Sequence, residues 1–164
     1  MLSSKMQQAL NDQIQKELYS SYMYISMAAH FQSKNLPGAA NWMRIQQGEE
    51  MEHAMKFFDF VHDRGGQVIL QAIPQPPSDF SSPVVAFKEA LAHEQKVTQS
   101  IHDLYALAVQ EKDYPTQVML QWFIDEQVEE ERNATDVVAQ LELVGDSPAG
   151  LYMVDRALGS REAE

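Results

Sequence analysis

The stretch Gly48-Glu49-Glu50-Met51-Glu52-His53-Ala54-Met55-Lys56-Phe57-Phe58-Asp59-Phe60 decides the reading of this chain. Gln46, Glu50, His53, Phe57 and Phe60 step by four, three, four and three, the rhythm of one helical stripe. A carboxylate and an imidazole therefore stand among core-facing side chains. Residues three apart lie one above the other on a helix, so Glu50 and His53 can hold one ion from a single rigid backbone.

The same irregularity recurs in three further segments. Leu10, Ile14, Glu17, Ser21 and Tyr24 keep a helical step with Glu17 in the stripe. Val84, Phe87, Leu91, Ile101, Tyr105 and Ala108 do so with Glu94 and Thr98 in phase. In the fourth segment Leu120, Phe123, Ala134, Val137 and Leu141 put Gln127 and Glu130 on the buried face. Gln127 and Glu130 repeat the Glu50–His53 spacing, with an amide at one position. Four carboxylates and an imidazole in one core layer would cost on the order of several kcal/mol per charge if nothing compensated them. Metal is the compensation that fits.

Glutamates and one histidine are hard-to-borderline ligands, suited to iron or manganese and tolerant of zinc. Glu17, Glu50, Glu94 and Glu130 carry a charge that two divalent ions would neutralise and one would not. A bundle with a lone Glu on two helices and Glu-x-x-His on the others is an established carboxylate di-iron pattern, which this chain approaches.

Punctuation sets the architecture. The first helix is expected from about residue 4 to residue 33, and Pro37 opens a second that Gly65 and Gly66 stop. Ser82 and Pro83 start a third reaching about Lys112, and Asp113, Tyr114 and Pro115 break into a fourth ending near Gly145. Ser147 and Pro148 begin a short fifth, stopped at Gly159, and Arg161 to Glu164 read as a frayed tail. Short links make the first and second helices, and the third and fourth, antiparallel. The proline-bearing stretch from Gln67 to Ser82, about 16 residues, can span the roughly 40 Å of a long helix and so reads as a crossover. The fold class is all-α: an antiparallel four-helix bundle with a long second-to-third crossover and a short fifth helix, in one domain over 1–164.

The 164 residues carry a net charge of −12, which argues against nucleic acid and anionic membrane as partners and favours cations. No apolar run approaches the roughly 20 residues of a membrane helix, and the start does not read as a secretory signal. With no cysteine, thiolate metal sites and disulfides are excluded, and a cytoplasmic setting is expected.

The joint pattern of NDQIQKELYSSYMY (11–24), GEEMEHAMKFFDF (48–60), HEQKVTQSIHDL (93–104) and QWFIDEQVEEE (121–131) resembles the bacterial and archaeal non-haem ferritins over essentially the whole chain. The resemblance implies a ferritin-like bundle, assembled as a hollow cage of 24 subunits, that oxidises Fe(II) with dioxygen or hydrogen peroxide and stores the ferric mineral. By similarity Glu17, Glu50 and His53 hold the first iron of a di-iron centre, and Glu50, Glu94 and Glu130 the second, with Gln127 on the oxygen side. Glu49, Glu126 and Glu129, sharing Glu130, are implied as a third iron site, although a run of acids is ordinarily a solvated face. Tyr24, seven residues from Glu17 on the same face, is a candidate hydrogen-bond donor to a ligand or electron donor, or simply a core tyrosine. His30, His62, His93 and His102 read as surface or capping residues, and Trp42 and Trp122 as packing.

Alternatives are a bacterioferritin and another di-iron oxidase or peroxidase. The second would need an insertion for a substrate pocket, or a cysteine-ligated iron module, and the chain has neither. Met51 falls where a bacterioferritin places its haem-ligating methionine, but the fourth helix has Gln127-Val128-Glu129-Glu130 instead of Glu-x-x-His, so no haem is expected. Leu151, Val154 and Leu158 give the fifth helix an apolar face, to be buried on its own bundle or around a symmetry axis. A homo-oligomer is the expectation.

Overall fold

The computed structural model describes residues 1–163, and Glu164, the end of the expected tail, lies outside the described residues. Its elements are α1 (Ser4–Ser33), α2 (Pro37–Asp63), α3 (Pro83–Gln110), α4 (Tyr114–Val144) and α5 (Pro148–Leu158). Four starts are capped within the sequence: the Ser3, Ser82, Asp113 and Ser147 side chains accept from the amides of Met6, Val85, Thr116 and Gly150. Left-handed backbone at Asn35, Gly65, Lys112 and Gly145 reverses or stops the chain just past each of the four long helices.

The crossover does run the length of the bundle, strapped along α1. Asn11 donates to Gln67 O and accepts from Ile69 N, Gln15 donates to Ala72 O, and Ser26 donates to Pro77 O. Ascending residue numbers on both strands of this contact show that the strap runs parallel to α1. It therefore returns the chain to the level where α2 began, which makes α2 and α3 parallel. Phe80 locks its far end, edge-on to His30 at 5.1 Å between ring centres. His30 is buried there with Nδ1 3.3 Å from Asp79, which corrects the expectation of a surface histidine.

The helix α5 lies back on its own chain. Val154 and Leu158 are buried in one apolar cluster with Ala39, Trp42 and Leu141. Of the two placements expected for this face, its own bundle is the one taken, so Val154 and Leu158 give no argument for assembly. Asp155 completes the docking. Its carboxylate accepts from Gly38 N at 3.1 Å and Ala39 N at 2.8 Å, capping α2, whose own N-cap residue Leu36 supplies no side-chain acceptor. The contact is so close that a Cβ on Gly38 would fall 1.6 Å from the Asp155 carbonyl oxygen.

Arg161 also departs from expectation. It is half-buried, with its guanidinium 4.7 Å from the Trp42 ring centre, and its carbonyl accepts from Asn41.

Candidate metal centre

Two apolar clusters fill the bundle, and between them lies a layer contributed by all four long helices. Glu17 from α1, Glu50 and His53 from α2, Glu94 from α3, and Gln127 and Glu130 from α4 are each no more than 3% exposed. Each sits at a core position because it falls in phase with the buried apolar stripe of its own helix. Leu10 and Ile14 mark that stripe for Glu17, Phe57 for His53, Ala90 and Val97 for Glu94, and Phe123 and Ala134 for Gln127 and Glu130.

Ligand atoms of Glu17, Glu50 and His53 lie within 4.8 Å of one another, as do those of Glu50, Glu94 and Glu130. Glu50 belongs to both groups. A third such group, His53, Glu126 and Glu130, adjoins them. Glu17 Oε2 and Glu50 Oε2 are buried without a hydrogen-bond donor, the condition a cation would relieve. The chemistry of the donor set, carboxylates with one imidazole, fits iron.

Burial sets the electrostatics. Desolvation raises the Glu17 and Glu94 carboxyls to about 7 and Glu130 to about 9. It pushes Glu50 well above the usual range, with Glu94 and Glu17 adding like-charge repulsion. His53 is lowered to about 4, chiefly by burial and further by Lys56, so its imidazole is neutral and able to ligate at neutral pH.

Amides and a phenol hold the acids in place. Gln13 donates to Glu17 Oε1 at 2.8 Å and Gln46 to Glu50 Oε1 at 3.3 Å, each from four residues earlier on the same helix. Gln46 also donates to Glu130 across the bundle. Tyr24, wholly buried, donates its hydroxyl to Glu94. Gln127 Nε2 lies 3.3 Å from Glu94 Oε2 and 3.2 Å from Thr98 Oγ1, and Thr98 in turn donates to Glu131. The recurring Gln-x-x-x-Glu spacing at 13–17 and 46–50 was a signal available in the sequence. His93, half-buried, bonds Ser20 Oγ at 2.7 Å instead of standing at the surface. Trp42 packs as expected, whereas Trp122 is 40% exposed with its ring 5.4 Å from that of His53.

The acids expected to form a third site are only partly gathered. Glu126 lies 3.7 Å from His53 Nε2, on the Glu130 side. Glu49 is held by Arg161 at 2.8 Å, and Glu129 by Arg132 at 3.3 Å. Among the described residues, neither belongs to a group close enough to share an ion.

The family model described as "Ferritin-like domain" matches residues 7–144. A bacterial non-heme ferritin of Staphylococcus aureus is 38% identical over 161 residues, covering 98% of this chain and 97% of its own. One from Staphylococcus epidermidis is 39% identical over the same coverage. Among solved structures, the open-pore ferritin of the hyperthermophilic archaeon Archaeoglobus fulgidus superposes with a TM-score of 0.98 at 49% identity, over 99% of each chain. A humanized archaeal ferritin gives 0.99 at 48% identity, over 100% of this chain and 99% of its own. The chain belongs to the ferritin family, the iron-storage proteins, as a prokaryotic non-haem member.

Proposed function

We propose that this ferritin is a ferroxidase that loads its own store, and that the buried layer is the place of oxidation. One observation carries the reading: ligand atoms from four helices converge on two overlapping groups that share Glu50, with two buried carboxylate oxygens there, Glu17 Oε2 and Glu50 Oε2, making no hydrogen bond. In this reading Glu17, Glu50 and His53 take one Fe(II), and Glu50, Glu94 and Glu130 the other. Two Fe(II) each give up one electron. Dioxygen accepts both with two protons to form hydrogen peroxide, or hydrogen peroxide accepts both with two protons to form water.

The protein's part is positioning and charge. Acids whose protons are held by burial must release them as the cations enter, and the neutral His53 supplies the nitrogen ligand. Tyr24 and Gln127 orient Glu94 from two sides. Glu126 and Glu130, with Glu49 and Glu129 drawn in, would serve a third iron on its way to the store.

His53→Ala or Glu50→Ala should abolish the fast phase of Fe(II) oxidation, a loss beyond about 100-fold, with helix content unchanged. Oxygen consumed and iron retained per subunit, measured together, are the readout. Unchanged initial rates in both variants would remove the assignment.

We propose further that the chain works in the cytoplasm as a homo-oligomeric cage of 24 subunits. With α5 covered, the apolar residues left exposed include Tyr22 and Ile25 on α1 and Ile69, Leu70 and Ile73 on the strap. Clustered exposure of this kind marks an interface between copies. A mass of only monomers or dimers at micromolar concentration would exclude the cage. No helix among the described residues is long and apolar enough to cross a membrane. Met51 is 39% exposed and outside the acid layer. We expect no haem: a stoichiometric haem band that survives purification and is lost in Met51→Leu would overturn that.

A further inference from the structure

We infer that Arg161, beyond the end of α5, is a positioning residue for the iron centre, acting through Gln46 on Glu130 and Glu50. The inference rests on the reading of those two acids as iron ligands.

The guanidinium makes two directed bonds in addition to its stack on Trp42. Its Nη1 donates to Gln46 Oε1 at 3.0 Å and its Nη2 to Glu49 Oε2 at 2.8 Å. The first bond fixes which way the Gln46 amide faces. With Oε1 committed to Arg161, Nε2 must point inward, where it donates to Glu130 and to Glu50 Oε1. Turned over, the same amide would set its oxygen against two carboxylates. One cation outside the layer thereby aligns acids from two different helices, α2 and α4.

Docking of α5 does not need this fork. Asp155 on the α2 amides and the buried Val154 and Leu158 already hold that helix. Partners that orient metal ligands from outside typically contribute about 10–100-fold in affinity when intact. Arg suits the position because its planar fork serves two acceptors at once, which a lysine ammonium on a flexible stem does poorly.

The test is a titration of the assembled, iron-free protein with Co(II), followed by its visible absorption and by calorimetry. Assembly mass and melting temperature are recorded for every variant. The unaltered protein should take two ions per subunit in the layer. Arg161→Gln should weaken the second ion, held by both Glu50 and Glu130, by about 10–100-fold, and the first, which shares only Glu50, by several-fold less. In a Gln46→Leu background, Arg161→Gln should change second-ion affinity by less than about two-fold, because the path is already cut. Should Arg161→Gln fail to assemble, Arg161→Lys must show the same selective loss, smaller in size. Equal second-ion affinity in the unaltered and Arg161 variants would overturn the inference and leave the iron-centre reading standing. Full additivity in the double variant would also overturn it, leaving Arg161 a packing residue. Failure of the unaltered protein to bind two ions would sink both.

Discussion

The bundle core is two cores with a gap between them, and the two kinds of region obey opposite rules. In the cluster beside α5, Phe31, Trp42 and Phe87 meet ring on ring at 5.1–5.6 Å; beyond the acid layer, Phe57 and Phe123 stack at 4.1 Å. These side chains gain by leaving water. The layer between them holds four acids that lose by doing so, as their raised carboxyl groups show. The ends make the fold stable enough to tolerate its middle, and the middle makes the fold useful.

Removing apolar mass from an end should be the heaviest blow to stability. Phe87→Ala is expected to cost about 3–5 kcal/mol, read as a fall in melting temperature or denaturant midpoint. Iron oxidation measured well below the melting temperature should change little. If oxidation fell as steeply as stability, the separation between end and middle would be false.

The middle should respond with the opposite sign. In metal-free protein, Glu130→Gln is expected to stabilise by about 2 kcal/mol at pH 8, because a neutral amide replaces an acid that burial penalises. An acid whose folded value is raised gives stability that is lost as pH rises through that value. Metal-free melting temperature should therefore climb as pH falls from about 9 toward the ordinary carboxylate value of 4.5. His53 and His93, both lowered to about 4, oppose the climb below 6.5, where the unfolded chain takes up protons that they do not. Divalent metal should flatten the profile by stabilising most at high pH. A metal-free profile that rises with pH would contradict the comparison.

Smaller effects test how the ends are closed. Asp155→Ala removes the borrowed cap of α2 and should cost about 1 kcal/mol, seen in melting temperature and in faster amide exchange at Gly38 and Ala39. Gly48, inside α2 beside the site, has open space where a Cβ would go, so Gly48→Ala should add about 0.5–1 kcal/mol. A loss there would mean that another copy of the chain packs against that turn.

Much of this was legible in the residue order. Helical period alone put Glu17, Glu50, His53, Glu94, Gln127 and Glu130 inside, because a stripe is a local property of each helix. Serine, aspartate, proline and glycine marked the ends of the helices for the same reason. Most contacts that sequence reasoning misjudged join residues distant in the chain; the pairing of Glu129 with Arg132, three residues on, is the local one. His30 is buried because the strap brings Phe80 over it, and Arg161 is ordered because α5 folds back to Trp42.

Sequence by itself determined the elements, their faces and the chemistry of the layer, since these follow from spacing within one helix and from the cost of burying charge. Only the tertiary structure decided that α5 covers its own apolar face and caps α2. It alone set Glu49 against Arg161, and carried Arg161 to the amide that holds Glu50 and Glu130. Those outcomes depend on which helix ends meet in space, and no period along the chain encodes a meeting between residues more than a hundred positions apart.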